Sequence, residues 1–281
     1  MYTLLLSQHR RALLATGLAC VVMAGCQRQP AAPATVEPAA QAPVSGEAAA
    51  PSQPGELKDV IENTPAYVVG ITYPQGIAGR PGLAQALAAY AASARADLKE
   101  AVDALGNDKT SAPYELSLSF EKILDTPRLV AVAADGSLYT GGAHGMPLMA
   151  RFVWLPEQER MLTAKELVPS GEGWKAVSDY AAKQLRHAAQ ARAEADHLDP
   201  DERQDLLEGA SKMIAEGTTP DPDNFAQFEP IVDGTGRITA VRFVFPPYQV
   251  GPYSDGTQSV DVPASVLLPH VAPAYRDLFA H

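Results

Sequence analysis

The chain has 281 residues, with 33 Asp and Glu against 22 Lys and Arg and a formal net charge of −11. So acidic a balance argues against a nucleic-acid or polyanion binder and suits a basic partner, while also serving simply to keep a domain soluble. The two cysteines, Cys20 and Cys26, leave no room for a disulfide framework, and the fold must stand on its hydrophobic core.

At the N-terminus, Arg10 and Arg11 precede an apolar run from Ala12 to Ala24, the charged and hydrophobic regions of a secretory signal. That run is too short for a membrane span, which takes about 20 apolar residues. It ends in Val22-Met23-Ala24-Gly25-Cys26, which resembles the lipobox read by lipoprotein-processing enzymes, so residues 1–25 are expected to be removed and Cys26 acylated. Ala-Leu-Leu after the arginine pair fits a twin-arginine signal poorly, leaving general secretion as the default route. Loss of the two arginines takes the charge from −11 to about −13. Gln27 stands where an inner-membrane retention Asp would, which in a Gram-negative source implies an outer-membrane lipoprotein facing the periplasm. Residues 26–55 carry the lipid and a stretch dominated by Ala, Pro, Gln and Ser. This stretch has too little apolar surface to offset the entropy of ordering, so it reads as a disordered tether. Extended at about 3.1 Å per residue, it spans tens of ångströms.

From residue 56 to 281 strand and helix signals alternate with no internal repeat and no second linker, which predicts one domain of about 225 residues. A chain of that size buries about 70% of its unfolded surface and needs no staples. Tyr67 to Tyr73 is a β-rich run ended by Pro74. Leu83, Leu87, Tyr90, Ala94, Leu98, Val102 and Leu105 then step at helical spacing until Gly106. Leu116, Leu118 and Phe120 alternate with Ser117, Ser119 and Glu121 in a strand with one wet face. Leu129 to Ala133 and Leu138 to Thr140 flank Asp135-Gly136, which reads as a hairpin turn, and Leu148 to Leu155 continues the sheet.

The middle is helical, with one stripe of Trp174, Val177, Ala181 and Leu185 and a second of Leu206, Ala210 and Met213. Asp199-Pro200-Asp201-Glu202 has the cap, first-turn proline and third-position acid of a helix start, and Gly217 suits its end. Val241, Phe243 and Phe245 alternate beyond an Asp233-Gly234 turn, Val260 to Val262 forms a last strand, and a short helix follows near Ala264 to Leu268. The sum is an α+β fold, a largely antiparallel sheet with helices packed on it.

Two segments carry a family resemblance. Tyr139-Thr140-Gly141-Gly142-Ala143-His144-Gly145 resembles the Tyr-x-Gly-Gly-Ala-His motif of the extracytoplasmic domain shared by RsiV, a lysozyme-sensing anti-sigma factor, and PdaC, a peptidoglycan deacetylase. Phe243 to Gly256, with Tyr248 and Pro252-Tyr253 ahead of Val260-Asp261-Val262-Pro263, is similar to that domain's closing stretch, so the resemblance covers about residues 58 to 281. It implies a cell-envelope domain that meets a lysozyme-like hydrolase or peptidoglycan. Two departures stand out: Arg151-Phe152-Val153-Trp154 and Pro156-Glu157-Gln158-Glu159 replace the family's usual strand and Gly-Lys turn. No sigma-binding segment and no polysaccharide deacetylase domain are recognisable, so neither of those activities is expected to transfer.

Read from the residues alone, Gly141, Gly142 and Gly145 open conformations closed to other residues and present His144 on a shaped loop. His144 is the one candidate acid or base, though such a histidine also commonly bonds its own loop. Tyr139, Tyr248 and Tyr253 pair an apolar face with a polar tip, suited to stacking on a sugar or filling a partner's cleft, with at least one of the three expected in the core. No metal or cofactor is expected, since no His-x-x-x-His or His-Glu-x-x-His pair exists and Asp221, Asp223 and Asn224 lack the spacing of a calcium loop. Ser254 sits out of register for a nucleophile elbow. Three functions stay open: a non-enzymatic binding module, a peptidoglycan-modifying enzyme using His144, and a structural lipoprotein.

Overall fold

The computed structural model describes residues 57–106 and 112–280. The expected signal, Cys26 and the tether lie outside the described residues. Strand β1 (Val60–Asn63) turns back antiparallel onto β2 (Tyr67–Thr72), and helix α1 (Pro81–Leu105) then crosses over so that β3 (Tyr114–Asp125) runs parallel to β2. A first-turn proline starts α1, and Gly106, at φ 57°, ends it by donating its N–H to the Asp103 carbonyl. The helix buries Leu83, Leu87, Ala91, Ala94 and Leu98. Strands β4 (Val130–Tyr139), β5 (Met146–Leu155) and β6 (Arg160–Met161) complete a six-stranded sheet in simple chain order.

The expected hairpin at Asp135-Gly136 does not form. Strand β4 runs straight through it, with Asp135 opposite Ser119 and Gly136 opposite Leu118. A Cβ on Gly136 would overlap the Ser117 carbonyl oxygen, so this glycine marks a place where two strands approach too closely for a side chain. The apolar run before it has its own cause: β4 is covered on both faces. Val130, Val132 and Ala134 pack with α1 in one core, while Leu129 and Ala131 join a second core.

That second core lies against helices α2 (Ala164–Leu167), α3 (Gly171–Ala195), α4 (Pro200–Gly217) and α5 (Ala264–Leu267). It also includes a separate three-stranded antiparallel sheet of β7 (Phe228–Val232), β8 (Ile238–Phe245) and β9 (Gln258–Pro263). The α+β architecture is as the pattern predicts, but the strands divide over two sheets. Trp174, Phe225 and Phe243 sit at the centre, with Trp174 stacked on Phe225 at 5.4 Å and Phe225 edge-on to Phe243 at 5.2 Å. Burying each such ring is worth about 1.5–3 kcal/mol, and the paired geometry adds roughly 0.5–1.5 more.

Caps set the helix starts. Thr163 and Glu166 form a reciprocal capping box on α2, and the Thr163 backbone N–H, together with Arg160, holds the Glu166 carboxyl below its ordinary range. Asp199 accepts from the backbone N–H groups of Asp201 and Glu202, as the sequence predicts. Of the expected α4 stripe, Ala210 and Met213 are partly buried but Leu206 is 41% exposed, and Leu207, Ile214 and Gly217 complete the inward face.

Polar contacts centred on Arg151 help join the sheets. Arg151 on β5, its side chain only 7% exposed, donates Nε to Glu229 on β7 at 2.5 Å and Nη1 to Asp135 on β4 at 3.0 Å. The same Nη1 reaches the carbonyls of Ala134 and Ala150, and the Arg151 backbone N–H donates to the Gln227 side chain at 2.7 Å.

Candidate functional site

Two loops, one from each sheet, meet at the candidate site. The first links β4 to β5, and in it Gly141 and Gly142 take φ of 100° and 93°. A Cβ on Gly142 would meet nothing within 4 Å and one on Gly141 only the Tyr114 ring at 3.9 Å, so the dihedral, not crowding, calls for glycine. The Tyr139 hydroxyl donates to the Gly142 carbonyl at 3.2 Å and ties the loop to the end of its strand.

The second loop leaves β8 through Pro246 and Pro247. Tyr248 takes φ 74°, a left-handed conformation that costs a non-glycine residue about 1–3 kcal/mol and persists only where the surroundings enforce it. Here they do. The Tyr248 N–H donates to the Gly251 carbonyl at 2.9 Å, and the Gln249 N–H donates to that of Pro246 at 3.1 Å. The Gln249 side-chain amide donates to the carbonyls of Gly217 and Asn224 at 2.9 and 2.8 Å, pinning the loop to the end of α4. Gly217 is there because a Cβ would overlap the Gln249 carbonyl. A short 3-10 turn, Tyr253–Asp255, follows, and Arg192 of α3 holds it through Asp255 at 3.0 Å.

The loops meet ring to ring. His144 stacks on Tyr253 with centroids 3.9 Å apart and planes 14° from parallel, and Tyr248 lies 5.7 Å from Tyr253. Histidine Nδ1 is 3.3 Å from the Gly145 carbonyl and Nε2 is 3.2 Å from the Tyr248 hydroxyl. A carbonyl can only accept, so Nδ1 carries a proton in the first contact; a neutral ring then accepts the Tyr248 proton on Nε2. The Tyr253 hydroxyl donates to the Gly145 carbonyl at 3.4 Å.

Thus Tyr139, Gly141, Gly142, His144, Tyr248 and Tyr253 come together at one place. The expectation that one tyrosine would lie in the core is overturned: Tyr248 is 55% exposed, and Tyr139 and Tyr253 are half-buried. Their hydroxyls serve the loops, which holds the rings at the surface. Gln249, Arg192 and Asp255 escaped sequence reading. Gln249 sat inside the motif as an apparent spacer, and Arg192 shows only as one more charge on a solvated helix face.

Asp221 and Asn224 do the work of a turn. Asp221 accepts the Asp223 N–H at 3.0 Å, and the Asn224 side chain donates to the backbone and hydroxyl oxygens of Thr219. Among the described residues no group of three or more His, Cys, Asp or Glu is placed to hold a metal ion.

Residues 60–147 match the family model described as Deacetylase PdaC, and residues 165–265 match the model of a protein of unknown function, DUF3298. Gly141, Gly142 and His144 fall in the first region and Tyr248 and Tyr253 in the second, so the ring stack is made across the two. A crystal structure of a DUF3298 family protein from Pseudomonas aeruginosa PAO1 is 20% identical, with a TM-score of 0.47, covering 80% of this chain and 94% of its own. Another DUF3298 family member, from Bacteroides fragilis NCTC 9343, is 14% identical, with a TM-score of 0.46, covering 78% of this chain and 94% of its own. No curated protein matches the chain.

Proposed function

We propose that this chain is a non-enzymatic binding module of the cell envelope, lipid-anchored through Cys26, whose Tyr139, His144, Tyr248 and Tyr253 surface contacts peptidoglycan or a lysozyme-like hydrolase that acts on it. The observation that carries this reading is the His144–Tyr253 stack with Tyr248 beside it. Exposed rings held by backbone hydrogen bonds offer contact area that is already ordered, which is what a recognition surface needs. His144 turns both ring nitrogens toward partners within the site, the Gly145 carbonyl and the Tyr248 hydroxyl, which fixes the ring as part of the surface. The net charge of −11 favours encounter with a basic hydrolase.

Two expected results follow. Purified full chain should co-sediment with sacculi or bind immobilised lysozyme, and His144→Ala should weaken that binding by about 1–3 kcal/mol if the ring makes a buried hydrogen bond to the partner. Retention of neither ligand at micromolar concentration would remove the proposal, and wall turnover abolished by His144→Ala would replace it with an enzyme. For the anchor, Cys26→Ala should abolish labelling by a palmitate analogue; unchanged labelling would refute lipidation at this cysteine.

A further inference from the structure

Next to the ring cluster, α3 and the β8–β9 edge enclose an open groove of about 530 Å³. That is within the roughly 300–1,000 Å³ of small-ligand sites, but most such sites are apolar and this one is lined largely by polar side chains. Asp255, two residues after Tyr253 in the same turn, lines it, so the groove reaches the turn that carries one of the stacked rings.

Its charges come in pairs. Arg192 holds Asp255 at 3.0 Å, and Arg242 grips Asp261 on the neighbouring strand through Nε at 2.7 Å and Nη2 at 2.9 Å. Each guanidinium therefore stands neutralised in a chain whose total is −11. Two guanidinium and two carboxylate groups leave the groove with no net charge to select an anionic or a cationic ligand. Paired charges of both signs suit a neutral ligand rich in hydroxyls, which accepts from the arginine N–H groups not spent on Asp and donates to the carboxylates. Half-buried Gln184 and Gln258 add amides that donate and accept at once, the pattern that vicinal hydroxyls and acetamido groups match. The half-buried Tyr180 ring supplies an apolar wall.

We infer that this groove is a binding subsite for a neutral saccharide, whose chain continues onto the Tyr253–His144 rings. The inference rests on the proposed binding function and deepens it by choosing the glycan over the hydrolase. The test uses purified full chain titrated calorimetrically with the β-1,4-linked tetramer of N-acetylglucosamine, with maltotetraose as control. Sacculus and lysozyme binding are measured in parallel. The tetramer should bind in preference to maltotetraose, and the double variant Gln184→Ala/Gln258→Ala should weaken it about tenfold or more, as expected when two hydrogen-bonding amides are removed. Because the ligand is uncharged, affinity should change by less than about twofold between ~0.05 and ~0.5 M salt. Circular dichroism confirms that the variant folds. Tetramer affinity unmoved by the double variant would overturn the groove, as would sacculus or lysozyme binding without tetramer binding; either result leaves the proposed function standing. Absence of all three interactions would bring down both.

Discussion

Replacing Arg151 by methionine should destabilise the domain by about 3–5 kcal/mol, the usual cost of breaking a buried ion pair from one side. The charge left behind is Glu229, whose side chain is only 16% exposed, and the carbonyls of Ala134 and Ala150 lose a donor with it. For a domain of this size each kcal/mol shifts Tm by roughly 2–4 °C, so a fall of about 6–20 °C is expected by calorimetry. The double variant Arg151→Met/Glu229→Leu should recover much of the loss, because well-packed apolar side chains of similar volume often replace a buried pair without penalty. A single variant within about 1 kcal/mol of wild type would show that the bridge is incidental. The bridge also bears on the site. Arg151 ties the sheet that carries His144 to the sheet that leads into Tyr248 and Tyr253, so its loss should loosen the ring stack and move the His144 ring protons toward unshifted NMR positions before global unfolding.

Local rules were enough to read much of this fold. The α1 stripe ending at Gly106, the Asp199 cap and the alternation of Leu116, Leu118 and Phe120 each depend on residues within a few positions of one another, and each stands where the pattern put it. The misreadings depended on partners far away in the chain. Asp135-Gly136 has the composition of a turn, and only the approach of Ser117 from the neighbouring strand makes Gly136 a strand residue. The unbroken apolar run of β4 does not say what will cover each of its two faces. Arg151 looked like a departure from a family pattern, and its role depends on Glu229, 78 residues further on. The same holds at the site. The glycines and rings of the two motifs were visible as motifs, but the His144–Tyr253 stack joins positions over a hundred residues apart and only the fold brings them into contact. Gln249 had no signal of its own, since its function is to reach two carbonyls that other elements supply.

Truncating Tyr248 to alanine is expected to have the largest effect on partner binding, about 2 kcal/mol or more, or roughly thirtyfold in affinity. It is the most exposed of the cluster's tyrosines, so its ring offers the most area to a partner while its hydroxyl orients His144. Phenylalanine at the same position separates these contributions, because it keeps the ring and removes only the hydrogen bond to the imidazole. Two further variants test whether the surface is shaped before contact. Gly142→Val meets no neighbouring atom but must adopt a φ of 93°, which a β-branched residue avoids, so the loop will move rather than the core. Gln249→Ala removes the clamp on the strained Tyr248 backbone without touching any ring. Both should weaken binding while leaving the melting temperature less affected than Arg151→Met does, and both should act mainly by slowing productive association, since the rings must then be ordered during the encounter. Measured on immobilised lysozyme and on sacculi, a loss confined to Tyr248→Ala, with Gly142→Val and Gln249→Ala binding as wild type, would mean that the loops order on contact and that the strain at Tyr248 has no part in recognition.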